Sequence, residues 1–124
     1  FVSLQEFSPT RGLRADVMAL SPRGEFWLVE CKSSRVDFQT DRKWLGYLDW
    51  CDRYFWAVDD VFPTELLPED SGLIIADGFD AEIICDGEVR PLAAARRKAL
   101  MQRFATAAAR RLQRWTDPDA LRAI

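Results

Sequence analysis

Two apolar runs of strand length, residues 14–20 and 25–32, flank Ser21-Pro22-Arg23-Gly24 and constrain this chain more than any other feature. Pro22 suits position i+1 of a type I turn, and Gly24 suits the left-handed residue that follows. Together they predict a three-residue hairpin loop with a bulge. Residue 21 then pairs with residue 25, and counting back along both strands sets Asp16 opposite Glu30. Side chains alternate along a strand, so Lys32 shares the face of Glu30. A two-residue loop would send Asp16 and Glu30 to opposite faces. The turn type therefore decides whether the three charges meet.

Two carboxylates and an amine on one patch suit a divalent cation, but they also suit a structural ion cluster. Glu-x-Lys alone carries little weight, since at average charged-residue usage it arises by chance roughly 0.5 times in a chain of this length. Opposite charges on neighbouring strands are often a cross-strand ion pair on a solvated edge. Here, however, both faces of the hairpin are apolar up to the charged end. Met18, Leu20, Phe26 and Leu28 fall on one side, and Val17, Ala19, Trp27, Val29 and Cys31 on the other. Such strands are normally interior to a sheet, where charges need partners because unpaired burial is costly. The residues alone leave both readings open.

A length of 124 residues suits one domain with a real core, residues 1–124, and 48% hydrophobic residues argue against disorder. Phe1 stands where a methionine would, so a native N-terminal segment is expected ahead of it. No stretch has the run of apolar residues that spans a bilayer, and no signal-peptide pattern occurs. The 3 cysteines, Cys31, Cys51 and Cys85, are odd in number and widely spaced. They fit reduced thiols in the cytoplasm, each as a buried hydrophobe, better than disulfides or zinc ligands.

The chain has 0 histidines, which removes Ser-His triads, Cys-His pairs and the usual zinc sets. Any metal must be held by oxygen, which favours Mg²⁺ or Mn²⁺. No glycine-rich phosphate loop is present. The formal net charge of -3 hides an uneven distribution. Residues 54–89 hold acids and no Lys or Arg, whereas residues 90–114 hold Arg90, Arg96, Arg97, Lys98, Arg103, Arg110, Arg111 and Arg114 and no acid. A local basic stripe can bind a polyanion on an acidic protein; its plainer reading is a solvated helix surface.

Phe1–Phe7 reads as a strand ahead of the hairpin. A helix is expected over about Phe38–Asp52 with Leu45, Leu48 and neighbouring aromatics on its apolar face. Ser33 and Ser34 suit a cap before it or donors to a phosphate. Arg53–Val58 reads as a buried strand. A short helical piece fits 64–67, and Leu73–Ala76 and Glu82–Cys85 read as a strand pair ending in the turn dipeptide Asp86-Gly87. Residues 92–115 form the strongest helix, with Leu100, Phe104, Ala108, Leu112 and Trp115 on one face. This order predicts an α/β fold, a mixed sheet flanked by helices.

A carboxylate on one strand, Glu-x-Lys on the next, then a helix and a further strand resemble the PD-(D/E)XK nuclease superfamily. Arg14-Ala-Asp16-Val, Val29-Glu30-Cys-Lys32-Ser-Ser34, Asp41-Arg-Lys43-Trp44 and Cys51-Asp52-Arg53-Tyr-Phe look like the MmcB-like DNA repair proteins of bacteria. So do Leu67-Pro-Glu-Asp70, Gly72-Leu-Ile-Ile-Ala-Asp77 and Ala-Arg96-Arg97-Lys98. The resemblance runs from about residue 4 to residue 115. It implies a restriction-endonuclease-like fold in which Asp16, Glu30 and the backbone carbonyl of Cys31 ligate Mg²⁺ or Mn²⁺. Lys32 would orient the attacking water or stabilise charge on the scissile phosphate. Lys43 would reach the site or the DNA backbone, unless it pairs locally with Asp41, and Tyr47 would pack. Ala15 stands where the motif has proline. The superfamily often supplies a further acid from an N-terminal helix, upstream of Phe1; Glu6 is the one carboxylate before Asp16 here.

Three functions are then in competition. The first is a metal-dependent nuclease of DNA repair, with Asp16, Glu30 and Lys32 as its machinery. The second is a catalytically inactive nuclease fold that binds damaged, branched or single-stranded DNA through Arg96, Arg103 and Arg110. The third is an interaction module using Trp44, Trp50 or Trp56 and the acidic stretch 59–88, against the plain alternative that these tryptophans are core. A symmetric homodimer would suit branched DNA.

Overall fold

The structure, a computed structural model, describes residues 1–40 and 44–119. The chain divides into two units, Phe1–Leu92 and the part that begins at Ala93. The first unit holds a six-stranded mixed sheet in the order β1-β2-β3-β4-β5-β6. Its strands are β1 Val2–Phe7, β2 Ala15–Leu20, β3 Phe26–Cys31, β4 Arg53–Val58, β5 Gly72–Ala76 and β6 Ala81–Cys85. Strands β1 to β3 are antiparallel, β3, β4 and β5 run parallel, and β6 returns antiparallel along β5. The fold class is α/β, as the order of elements predicts.

The hairpin closes as its turn residues dictate. Ser21 N–H donates to Glu25 O at 2.9 Å and Gly24 N–H to Ser21 O at 3.0 Å. Gly24 has φ +86°, a region open to glycine and costly for other residues. The Ser21 hydroxyl adds support by accepting the N–H groups of Arg23 and Glu25. The register then pairs Leu20 with Phe26, Met18 with Leu28 and Val17 with Val29, so Asp16 and Glu30 are level.

The two faces of the hairpin are not equivalent, contrary to the expectation of two buried sides. Met18, Phe26, Leu28 and Glu30 are buried, while Val17, Ala19, Trp27 and Val29 are half-buried. The cover on the first face is aromatic. Phe38 and Trp44 lay their rings edge-on against Trp56 of β4, at centroid distances of 5.2 and 5.6 Å. Tyr47 is buried and its hydroxyl donates to Arg14 O at 2.8 Å, so packing is its role.

The segment that supplies these rings is not one helix over 38–52. It consists of α1, Arg35–Thr40, then α2, Trp44–Tyr47, and a 3₁₀ turn at Leu48–Trp50. The helix begins earlier than expected because Ser34 caps it, accepting the Asp37 N–H at 3.1 Å. It ends at Cys51, whose backbone is already extended. Leu45 is 61% exposed, a departure from its expected place on the apolar face, which Tyr47 occupies instead.

Strand β4 is buried at Tyr54, Phe55, Trp56 and Val58, as befits a parallel strand between two neighbours. Trp56 is thus core, and Trp44 and Trp50 are half-buried. Before β4, the carboxylate of Asp52 is 2% exposed and accepts the N–H groups of Phe26 at 2.7 Å and Leu92 at 2.9 Å. It ties the start of β3 to residues 90–92. Gly72 and Gly87 approach so closely that a Cβ on Gly87 would run into the Gly72 backbone, and Gly87 has φ +72°.

Of the cysteines only Cys51 is buried, and burial pushes its thiol up to about 12. Cys31 and Cys85 are exposed, which corrects the expectation of three buried hydrophobes. Cys85 belongs to β6, an edge strand exposed along its whole length, and Cys31 ends β3 on the less covered face. All three are free thiols.

The second unit carries α3, Ala94–Thr116, a 23-residue helix. Leu100 and Phe104 are buried, but Leu112 and Trp115 are 64% and 88% exposed. Helical spacing places these residues on one apolar side without determining how far along the helix that side is covered. No helix among the described residues is long and apolar enough to cross a membrane.

Candidate active site

The site forms where the β2–β3 ladder ends. Glu30 is 6% exposed and Asp16 is half-buried. Asp16 N–H donates to Glu30 Oε1 at 3.1 Å, and Cys31 N–H donates to Asp16 Oδ2 at 2.8 Å. Side-chain acceptors thus take main-chain donors at the level where the two strands stop pairing.

On its other side Glu30 is the register partner of Trp56 in β4. Register partners share a face, so Glu30 lies beside the Phe38–Trp44–Trp56 wall. Removal from water raises its carboxyl from the usual 4.5 to about 7, with the neighbouring Asp16 charge adding to the rise and Lys32 opposing it. The pair is therefore poised to share a proton or to gain a cation.

Lys32 follows β3 directly, and its N–H extends the parallel pairing by donating to Ala57 O at 3.0 Å. Its side chain is only 11% exposed, and Nζ lies 3.8 Å from Asp37 Oδ1. The other oxygen of Asp37 accepts the Ser33 N–H at 3.2 Å. Asp37 was not among the residues expected at the site. Its signal was present in Ser34-x-x-Asp37, the spacing of a capping box. The Phe38 and Trp56 wall also lacked a sequence signal, because it arises from a parallel pairing across a crossover.

Asp16, Glu30 and Lys32 are thus brought together, with the Cys31 main chain between them. Lys43 lies outside the described residues. Arg96, Arg103 and Arg110 are exposed on α3, and their seven-residue spacing puts them on one side of that helix. Glu6 would stand level with Asp16, since Gln5 pairs with Val17 and Phe7 with Ala15. It leaves the ladder, with φ +48°, the one positive value on a non-glycine residue among those described. No group of three or more Asp, Glu, Cys or His that could hold a metal occurs among the described residues.

Fold and site together define an α/β protein with a mixed sheet that presents a carboxylate pair and a lysine at the end of an antiparallel hairpin. The family model described as "DNA repair protein MmcB-like" matches residues 1–119. The chain belongs to the MmcB-like family of DNA repair proteins. It is also similar to the solved structure of a protein of unknown function from Silicibacter pomeroyi. That protein is 65% identical, with a TM-score of 0.89 over 95% of this chain and 81% of the other. No match was found among curated proteins.

Proposed function

We propose that this chain is a divalent-metal-dependent nuclease of the PD-(D/E)XK type that hydrolyses DNA phosphodiesters during repair. The observation that carries the proposal is the register that sets Asp16 level with Glu30, with Lys32 two residues beyond. Membership of a DNA repair family supports DNA as the substrate.

The donors fit a hard cation. Asp16 and Glu30 supply carboxylate oxygens and Cys31 a carbonyl oxygen, and Mg²⁺ binds through one or two carboxylates while keeping several waters. A desolvated acid whose pKa is raised by its neighbour gains from a positive ion placed between the two. Mg²⁺ or Mn²⁺ held there supplies Lewis-acid neutralisation of the charge on the scissile phosphate. The protein's own residues do the rest. Asp16 and Glu30 provide the negative seat, and the hydrogen bonds from Asp16 and Cys31 N–H hold both carboxylates in place. The Lys32 ammonium orients the attacking water or offsets charge that builds on the phosphate. Arg96, Arg103 and Arg110 contact the phosphate backbone.

A second reading, DNA binding without cleavage, draws on the eight basic side chains and no acid between residues 90 and 114. One assay separates the two. Labelled single-stranded, duplex, flap and four-way DNA are incubated with the chain in Mg²⁺ or Mn²⁺, beside Lys32→Ala and Asp16→Ala. The nuclease reading expects cleavage that both substitutions abolish while DNA binding and the fold remain. Binding with no metal-dependent cleavage would make the fold a recognition scaffold.

A further inference from the structure

Lys32 has two anionic neighbours to choose between, and the choice matters for the site. One is the Asp16–Glu30 pair, to which Lys32 is close enough to pull the Glu30 carboxyl downward. The other is Asp37, whose Oδ1 lies 3.8 Å from Nζ. Asp37 is itself held at both ends. Its N–H is capped by Ser34 Oγ at 3.1 Å and its Oδ2 accepts the Ser33 N–H at 3.2 Å. A rigid first turn of α1 therefore presents a fixed carboxylate to the lysine.

We infer that Asp37 is a positioning residue that holds the Lys32 ammonium away from the Asp16–Glu30 pair and so keeps that pair open for a divalent cation. The inference rests on the metal reading of the same site. The physical argument is competition. An ammonium only 11% exposed has little water to solvate it and must settle on an anion. With Asp37 neutralised, the remaining nearby anions are the two desolvated carboxylates, and an internal ion pair with them would occupy the seat of the metal. With Asp37 charged, Lys32 stays beside the seat, where a phosphate bound to the site would meet it.

The substitution Asp37→Asn isolates the charge, because the amide oxygen still accepts the Ser33 N–H and the helix cap is preserved. The measurement is Mn²⁺ binding by calorimetry and by electron paramagnetic resonance of free Mn²⁺, in the absence of DNA. Asp37→Asn is expected to bind Mn²⁺ about tenfold more weakly than the wild type, the scale of one partly desolvated charge pair. Removing the lysine as well, in Lys32→Met/Asp37→Asn, is expected to restore the affinity to at least the wild-type value. A purely structural role for Asp37 would not be rescued by losing Lys32. Unchanged affinity in Asp37→Asn, or a double variant as weak as the single one, overturns this inference while leaving the metal reading intact. Failure of the wild type itself to bind Mn²⁺ overturns both.

Discussion

The main-chain N–H of Asp16 donates to Glu30 Oε1 at 3.1 Å, so the two acids are joined through backbone as well as by register. The reciprocal contact, Cys31 N–H to Asp16 Oδ2 at 2.8 Å, completes the arrangement. An ionised carboxylate has about four lone-pair sites, so these bonds orient both groups and leave acceptor capacity facing outward. The same contacts explain how a buried acid is tolerated here. Each carboxylate has a fixed donor, and the cost that remains is the Glu30 charge itself.

That cost gives a pH dependence with a definite sign. Glu30 is raised from 4.5 to about 7 in the fold, so the folded state holds its proton more tightly than the unfolded chain. The stability penalty is absent below about pH 4.5, grows as pH rises, and is complete above about 7, where it reaches about 3 kcal/mol. Glu30→Gln keeps the acceptor for the Asp16 N–H and removes the charge. Metal-free urea denaturation at about pH 5 and about pH 8 is expected to show the wild type losing stability between the two, and Glu30→Gln losing much less. A wild type equally stable at both values would refute the raised pKa.

The basic helix yields a salt signature. Arg96, Arg103 and Arg110 lie on one side of α3, and each phosphate contact contributes close to one unit to the slope of log affinity against log salt. Replacing all three with alanine is expected to lower that slope by about 3 for duplex DNA. A fluorescence anisotropy titration at several salt concentrations measures it. An unchanged slope would assign those arginines to the surface of the protein rather than to DNA.

Asp52 is expected to be a stability residue and not a functional one. Its carboxylate satisfies Phe26 N–H and Leu92 N–H from a position 2% exposed. Asp52→Ala would leave both donors buried and unpaired, at about 3 kcal/mol. Thermal denaturation should show a large drop in Tm, and metal binding per folded molecule should not change.

The cysteines should be distinguishable by rate of labelling. Cys51 is buried and its thiol is pushed up to about 12, so the reactive thiolate is scarce and inaccessible. Cys85 is exposed on the edge strand, while the exposed Cys31 has its thiol raised by its surroundings and by the Asp16 and Glu30 charges. Mass spectrometry after limited maleimide treatment should find Cys85 modified first, Cys31 later and Cys51 only on unfolding.

Local chemistry in the sequence determined the hairpin and, through it, the site. Pro22 and Gly24 select the loop, the loop sets the register, and period-2 alternation puts Asp16, Glu30 and Lys32 at one end. None of these steps needs a distant residue, which is why they were legible. The strand character of Arg53–Val58 and the long helix after residue 92 were legible for the same reason. What only the tertiary structure decided is where each of these elements finds cover. The pairing of Glu30 with Trp56 crosses from β3 to β4, and it removes Glu30 from water. Likewise, the choice of Asp37 as partner for Lys32 depends on where α1 leaves the sheet. The exposure of Leu45, Cys85, Leu112 and Trp115 shows the limit from the other side. Periodicity tells a residue which way to face, but burial depends on which surface lies opposite, and that belongs to the fold as a whole.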